Sequence, residues 1–251
     1  MKNIVLVGSG NVATHLGLSL IRKGYTIKQV WSKELRNANI LAKKLNATAT
    51  DSLNKLQDAD LYILAIKDDA LNSVINKLNV DNLIHTSGSI NIDVFHAKFK
   101  NYGVLYPLQT FNKKVELDFS NTPICIEANN KSLTKKLLKI GKKLSETVIE
   151  MNSQERKEIH IAAVFACNFT NHMFTIADSI LTKSNNEFKL LLPLINQTVG
   201  KLKQERPSKL QTGPAARKDL KVIQGHINSL SDNRVKELYK IISNSIMQNN
   251  E

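Results

Sequence analysis

Cysteine is scarce in this sequence: 251 residues hold two, Cys125 and Cys167. Both have apolar neighbours and neither has the spacing of a metal site or a disulfide framework. We therefore expect reduced, packed thiols, no bound metal and a cytoplasmic protein. Long apolar runs are missing too. The longest charge-free stretch, Ile159 to Ala177, has the length of a membrane span, but His160, Asn168, Asn171 and His172 interrupt it. It reads as a buried helix, and no membrane partner is expected. Met1-Lys2-Asn3 leads directly into a strand, which leaves no room for a signal or transit peptide. Neither low-complexity segments nor internal repeats occur.

Acidic residues are few beside basic ones: 22 Asp and Glu against 35 Lys and Arg, a formal net charge of +13. Such a balance can mark a nucleic-acid partner. The lysines, however, come in scattered pairs such as Lys43-Lys44, Lys135-Lys136 and Lys142-Lys143, and aromatics, 6% of the chain, are not interleaved with them. Solvated helix faces account for this pattern, and no nucleic-acid partner is expected. With 42% hydrophobic residues, the chain can bury one large core or two modest ones.

What is present is organised around the amino terminus. Ile4-Val5-Leu6-Val7 is an apolar run without alternation that meets glycine at once, the pattern of a parallel strand buried on both faces. Ala13, Leu16, Gly17 and Leu20 then recur at helical spacing, and Gly24 suits the left-handed end of that helix. Between strand and helix lies Gly8-x-Gly10-x-x-Ala13. Gly8 permits the tight turn, Gly10 lets backbone approach a pyrophosphate, and Ala13 lets helix and strand pack closely. The anion would rest on the free N–H groups at the helix start, so Gly8, Ser9, Gly10, Asn11 and Val12 are cofactor candidates. A βα turn that uses glycine for geometry alone is the plainer alternative.

The second strand, Thr26 to Trp31, ends at Ser32. An acid there would hold the ribose hydroxyls of NAD; instead Ser32, Lys33 and, one turn on, Arg36 suit a 2′-phosphate. The pattern therefore favours NADP(H), although Ser32 could simply cap the next helix. Asp60 to Ile66 repeats the buried-strand pattern, with Asp68 and Asp69 opening a helix, and Ala65, Ile66 and Lys67 should line the nicotinamide-side ribose. Leu83 to His85 forms a further strand ending in Thr86-Ser87-Gly88-Ser89. Ser87 and Gly88 would lie near the nicotinamide ring or serve only as a loop. Strands are also read near Ala47 to Ala49, from Val104, from Pro123 to Glu127 and from Thr147 to Glu150. Tyr106, Gln109 and Thr110 offer donors where one of them meets a loop.

The expected fold class is α/β: a Rossmann-type, mostly parallel sheet over residues 1–151, followed by an all-α domain over 152–251. From Asn152 helical periodicity takes over. On a wheel of about 100° per residue, His160, Cys167, Asn171 and Asp178 share one stripe, with Phe165, Phe169, Met173, Ile176 and Ile180 opposite. Buried polar groups need partners, which a ligand cleft, a dimer interface or neighbouring helices would supply. Asn168 and His172, at i and i+4, lie beside the stripe and could join it. Gly213-Pro214 should end one helix and start another. Arg217 either pairs with Asp219 at the surface or holds a substrate carboxylate.

Together, Gly8-Ser-Gly-Asn-Val-Ala13, His85-Thr-Ser-Gly-Ser89, Tyr106-Pro-Leu-Gln-Thr-Phe111, His160-Ile-Ala-Ala163 with Asn168-Phe-Thr-Asn-His172, and Gln211-Thr-Gly-Pro214 with Arg217 and Asp219 resemble one family. It is a bacterial oxidoreductase family that joins a Rossmann-like domain to a C-terminal helical domain of unknown function. More distantly the chain is similar to pyrroline-5-carboxylate reductase, deazaflavin-dependent NADP reductases and 6-phosphogluconate dehydrogenase-like proteins. Lys218 stands where the family pattern has glycine, which bears on that loop's conformation. The lysine acid/base of the β-hydroxyacid dehydrogenases has no counterpart here.

The resemblance implies a homodimer and an NADP(H)-dependent reductase of a small carbonyl or imine at the cleft between the domains. His160 is then the candidate proton donor, Asn168 and Asn171 orient the substrate, and Arg217 binds its anion. Two alternatives stand beside this reading. One is a non-catalytic NADP-binding sensor or scaffold, marked by a cleft closed with apolar side chains. The other is a reductase that uses a deazaflavin as second substrate.

Overall fold

The structure, a computed structural model, describes residues 1–95 and 98–248. It divides into two compact units, Met1–Phe169 and Thr170–Glu251. Among the described residues no helix is long and apolar enough to cross a membrane.

The first unit opens with β1 (Asn3–Val7), whose last four residues are wholly buried. Alternate side chains of a strand point to opposite faces. Ile4 and Leu6 accordingly join the apolar cluster that includes Ala13, Leu16 and Leu20, while Val5 and Val7 join a second cluster with Leu71, Val74 and Phe95. Helices on both faces explain why the strand has no polar alternation. The elements that follow are α1 (Asn11–Arg22), β2 (Thr26–Trp31), α2 (Leu35–Leu45), β3 (Thr48–Thr50), β4 (Leu61–Leu64), α3 (Asp68–Ile75), β5 (Leu83–His85) and β6 (Tyr102–Pro107). After them come β7 (Ile124–Ala128), α4 (Lys131–Leu144), β8 (Val148–Glu150) and α5 (Ser153–Ala163).

The strand order is β3-β2-β1-β4-β5-β6-β7-β8. All neighbours are parallel except β6 with β7, so the mostly parallel Rossmann-type sheet is as expected. The order reverses at β1, and the crevice at such a reversal, outside the strands' carboxyl ends, is where this architecture takes ligands.

The sheet ends at Glu150 and only helices follow, yet the compact units divide later, at Phe169/Thr170. The reason is the way α5 is bound to the sheet. Its start is a capping box: Asn152 Oδ1 accepts from Glu155 N at 3.0 Å and Glu155 Oε2 from Asn152 N at 2.9 Å. Arg156, 1% exposed, then pairs with Glu127 of β7 and donates to the Ile90 carbonyl and to Ser153 Oγ. A buried guanidinium is tolerated only with such partners.

Beyond α5 the chain makes a π-helical segment, Val164–Phe169, before α6 (Thr170–Lys183). This corrects two sequence readings. A π turn carries one residue more than an α turn, so the uniform α-helical period on which the stripe of His160, Cys167, Asn171 and Asp178 rests does not run through this segment. The stretch from Ile159 to Ala177 is also not buried. Ile161, Phe165 and Phe169 are exposed, as is Cys167, while Cys125 is packed in β7.

The second unit comprises α6, α7 (Leu192–Lys201), α8 (Leu220–Ser229) and α9 (Asn233–Gln248). Its core is small: Ala215, Ile223 and Ile227, with Tyr239, Ile246 and Met247 against them. Neither α6 nor α7 has a buried residue. Gly213-Pro214 does not start a helix as expected. Gly213 has φ +102, a run of turns follows, and α8 begins only at Leu220, capped by Asp219, whose Oδ1 accepts from Val222 N at 3.2 Å.

Candidate functional site

Three residues after β1 determine where the site lies. Gly8 has φ +129, and a Cβ on it would fall 2.2 Å from the Ala65 carbonyl oxygen, so glycine alone lets the ends of β1 and β4 come together. Gly10 is the opposite case. It is exposed, and a Cβ there would meet only that same oxygen, at 3.9 Å, so the backbone faces open space. α1 starts at Asn11 with no side chain capping its first N–H groups and no acid in its first turn. Uncapped N–H groups at the positive end of a helix suit an anion.

In front of this turn the carboxyl ends of β1, β2, β4, β5 and β6 open on a cavity of about 1340 Å³ within the first unit. That is ample for a dinucleotide and a small second molecule. Gly8, Ser9, Gly10, Asn11 and Val12 line it at the turn, Ser32 and Lys33 at the end of β2, Ala65, Ile66 and Lys67 at the end of β4, and Ser87 and Gly88 beyond β5. Arg36 is exposed on α2 and does not line it.

The β2 end has the character expected of a 2′-phosphate site in part. Ser32 is buried and its Oγ accepts from Ser9 Oγ at 3.0 Å. The residue before α2 is Glu34, whose side chain does not cap it, so Ser32 is not the helix cap. Lys33 brings a cation to this end, while Glu34 and Asp51 line it as well.

At the β5 end His85 is fully buried, stacked on Phe95 with ring centroids 5.6 Å apart. Its Nδ1 accepts from Ser87 N at 3.1 Å, which places the proton of the neutral ring on Nε2. Burial, and secondarily the Arg156 charge, push its pKa down to about 3, so the ring stays neutral. Ser87 Oγ in turn accepts from Ser89 N and Ile90 N, both at 3.1 Å, and the loop below the cavity is thereby held.

The β6 end carries the pair that the sequence did not join. Tyr106 Oη lies 2.9 Å from His160 Nδ1, the rings edge to face at 5.7 Å, and both side chains line the cavity. Burial pushes the Tyr106 hydroxyl up to about 12, so it remains protonated at neutral pH and can either donate to or accept from the imidazole. His160 stands one helical turn after Arg156, and the Arg156–Glu127 pair therefore fixes it against β6. Tyr106 was legible only as a donor where a strand meets a loop, because its partner is 54 residues away.

Of the remaining candidates, Asn168 is exposed in the π segment and does not line the cavity. Asn171 and Arg217 are exposed residues of the second unit. The loop after β6, where the sequence offered Gln109 and Thr110 as donors, also reaches the glycine turn. Asn11 Nδ2 donates to the Phe111 carbonyl at 2.9 Å, His15 Nε2 to the Asn112 carbonyl at 2.9 Å, and Lys113 Nζ to the Ser9 carbonyl at 2.8 Å.

A solved structure from Bacteroides fragilis, named as a candidate NADP oxidoreductase, is 40% identical, with 98% of each chain covered and a TM-score of 0.92. The chain belongs to that oxidoreductase family. Residues 3–95 match the family model described as NADP oxidoreductase, coenzyme F420-dependent, and residues 122–246 match a domain of unknown function, DUF2520. No curated protein matches. The oxidoreductase-family fold extends to more distant structures. One is the 1-pyrroline-5-carboxylate reductase of Streptococcus pyogenes, 13% identical over 98% of each chain with a TM-score of 0.66. Another is the reductive aminase of Aspergillus terreus, in complex with NADPH and ethyl-5-oxohexanoate, 12% identical over 99% of this chain and 93% of its own with a TM-score of 0.71.

Proposed function

We propose that this member of the family is an NADP(H)-dependent oxidoreductase that reduces a small carbonyl or imine compound. The observation that carries the reading is one continuous cavity running from an uncapped glycine turn, suited to a diphosphate, to the hydrogen-bonded Tyr106–His160 pair. The relatives' names support the same choice of cofactor: the 40%-identical Bacteroides protein is named for NADP, and the reductive aminase was crystallised with NADPH. A non-catalytic sensor would have had this end closed by apolar side chains; instead two groups able to exchange a proton lie there.

Gly8 to Val12 would hold the diphosphate, Ser32 and Lys33 the 2′-phosphate, and the Ser87–Gly88 loop the nicotinamide end. Bound there, the nicotinamide supplies the hydride. The chain's own part is the proton. Imidazolium His160, its Nδ1–H held by the Tyr106 oxygen, releases its Nε2 proton to the substrate oxygen or nitrogen as that atom gains charge, and returns to neutral imidazole.

NADPH oxidation screened against imines, 2-oxoacids and a deazaflavin tests the reading. With an accepted substrate, His160→Ala should lower kcat by about 100-fold or more, Tyr106→Phe should lower it by about tenfold, and NADPH affinity should hardly change in either. Unchanged turnover in His160→Ala would refute the proton role, and an absence of NADPH binding by calorimetry would refute the whole reading. Residue types at the site favour NADPH over NADH, and the same titrations compare the two.

The protein acts as a cytoplasmic homodimer in this reading. Leu190, Leu194, Val199 and Ile241 of the second unit are more than half exposed in a single chain, an apolar surface that a second copy would bury. Light scattering should return twice the mass of 28.1 kDa.

A further inference from the structure

We propose that Lys113 is a binding residue for the cofactor's diphosphate, delivered by a strap formed by residues 109–113. The proposal rests on the dinucleotide reading above and adds a cation that the glycine pattern does not contain. Three consecutive residues of the strap are each bonded to the turn or to the first turns of α1: Phe111 through Asn11, Asn112 through His15, and Lys113 through Ser9. The first two bonds run from side chains of α1 to strap carbonyls, so they hold the strap's backbone whatever its side chains do. Phe111 also packs on the His15 ring, centroids 5.7 Å apart, and on Phe119 at 5.9 Å, which anchors the strap to the core.

Lys113 is held differently. It is not itself part of the cavity wall, but its side chain reaches back to donate to the carbonyl oxygen of Ser9, which is, 2.8 Å away in the middle of the turn that would cradle the diphosphate. A carbonyl takes one of the ammonium's three protons and leaves the charge uncompensated. Lys113 has no carboxylate partner among the described residues. An unneutralised ammonium tethered beside uncapped helix N–H groups, on backbone that does not depend on it, is an arrangement that gains when an anion arrives. The phosphate oxygens would take over the remaining ammonium protons, and a charge-assisted bond is stronger than one to a carbonyl.

Titration calorimetry of the full chain with NADPH, with 2′-AMP as a ligand that keeps the 2′-phosphate but has no diphosphate, tests this. Lys113→Met, of similar length and without charge, should weaken NADPH by tenfold or more, leave 2′-AMP unchanged, and flatten the salt dependence of NADPH binding. Lys113→Arg should restore most of the affinity. Equal NADPH affinity in wild type and Lys113→Met would overturn the assignment while leaving the dinucleotide reading intact. An equal loss for both ligands would overturn it too, by placing the effect away from the diphosphate. Absence of NADPH binding by the wild type would instead remove the reading on which it stands. Because Lys113 is exposed, unchanged thermal unfolding of the variants serves as the folding control.

Discussion

Gly88 lies directly against His160: a Cβ on Gly88 would fall 2.7 Å from His160 Nδ1 and 2.7 Å from Tyr106 Cζ. Glycine at this position is what lets the Tyr106–His160 hydrogen bond form over the β5 loop. Gly88→Ala must displace one ring or the loop, and overpacking of this kind costs about 1–3 kcal/mol. Thermal or urea unfolding should show that loss, and nitrogen chemical shifts of His160 should show the bond to Tyr106 disturbed. A variant as stable as wild type with unshifted His160 signals would contradict this packing.

His85 makes stability depend on pH. Its folded pKa is about 3 against an ordinary 6.5, so between those values the unfolded chain binds a proton that the folded chain does not. Stability therefore falls as pH drops through this window, by about 1.4 kcal/mol per pH unit from this group. His85→Leu should be less stable at pH 7, since Ser87 N loses its acceptor, but its stability should decline less steeply from pH 6 to pH 4. Parallel slopes for the two proteins in urea titrations would count against a neutral buried ring.

Glu127 neutralises a guanidinium that has no access to water. Removing one partner of a buried pair leaves the other uncompensated, so Glu127→Ala should lose about 3–5 kcal/mol. Much of α5 should loosen with it, and amide exchange of residues 153–163 should accelerate more than that of α1. Uniform exchange along both helices would show that Arg156 does not hold α5 to the sheet.

Lys218 sits at φ +57, the left-handed region that favours glycine. A side chain there costs about 1 kcal/mol relative to glycine. Lys218→Gly should accordingly raise stability by about that amount, read as a higher Tm. A lower Tm would mean that the lysine's own interaction outweighs the backbone cost.

Local pattern was enough to reveal the eight strands, the glycine turn and most of the cavity wall. A doubly covered strand is apolar at every position, a tight turn needs glycine, and strand ends converge wherever a parallel sheet reverses its order. Each of these constraints acts on neighbours in the chain. The Tyr106–His160 pair, the Arg156–Glu127 pair that supports it and the Lys113 strap join residues 29 to 104 positions apart, and no spacing along the chain encodes such contacts. A uniform helical period also fails to run through the π segment, whose angle per residue differs from that of an α-helix. What the amino-acid order determined alone was the sheet and its glycine turn. Folding in three dimensions decided which proton-bearing groups face the cavity, because only packing brings distant side chains within hydrogen-bond reach.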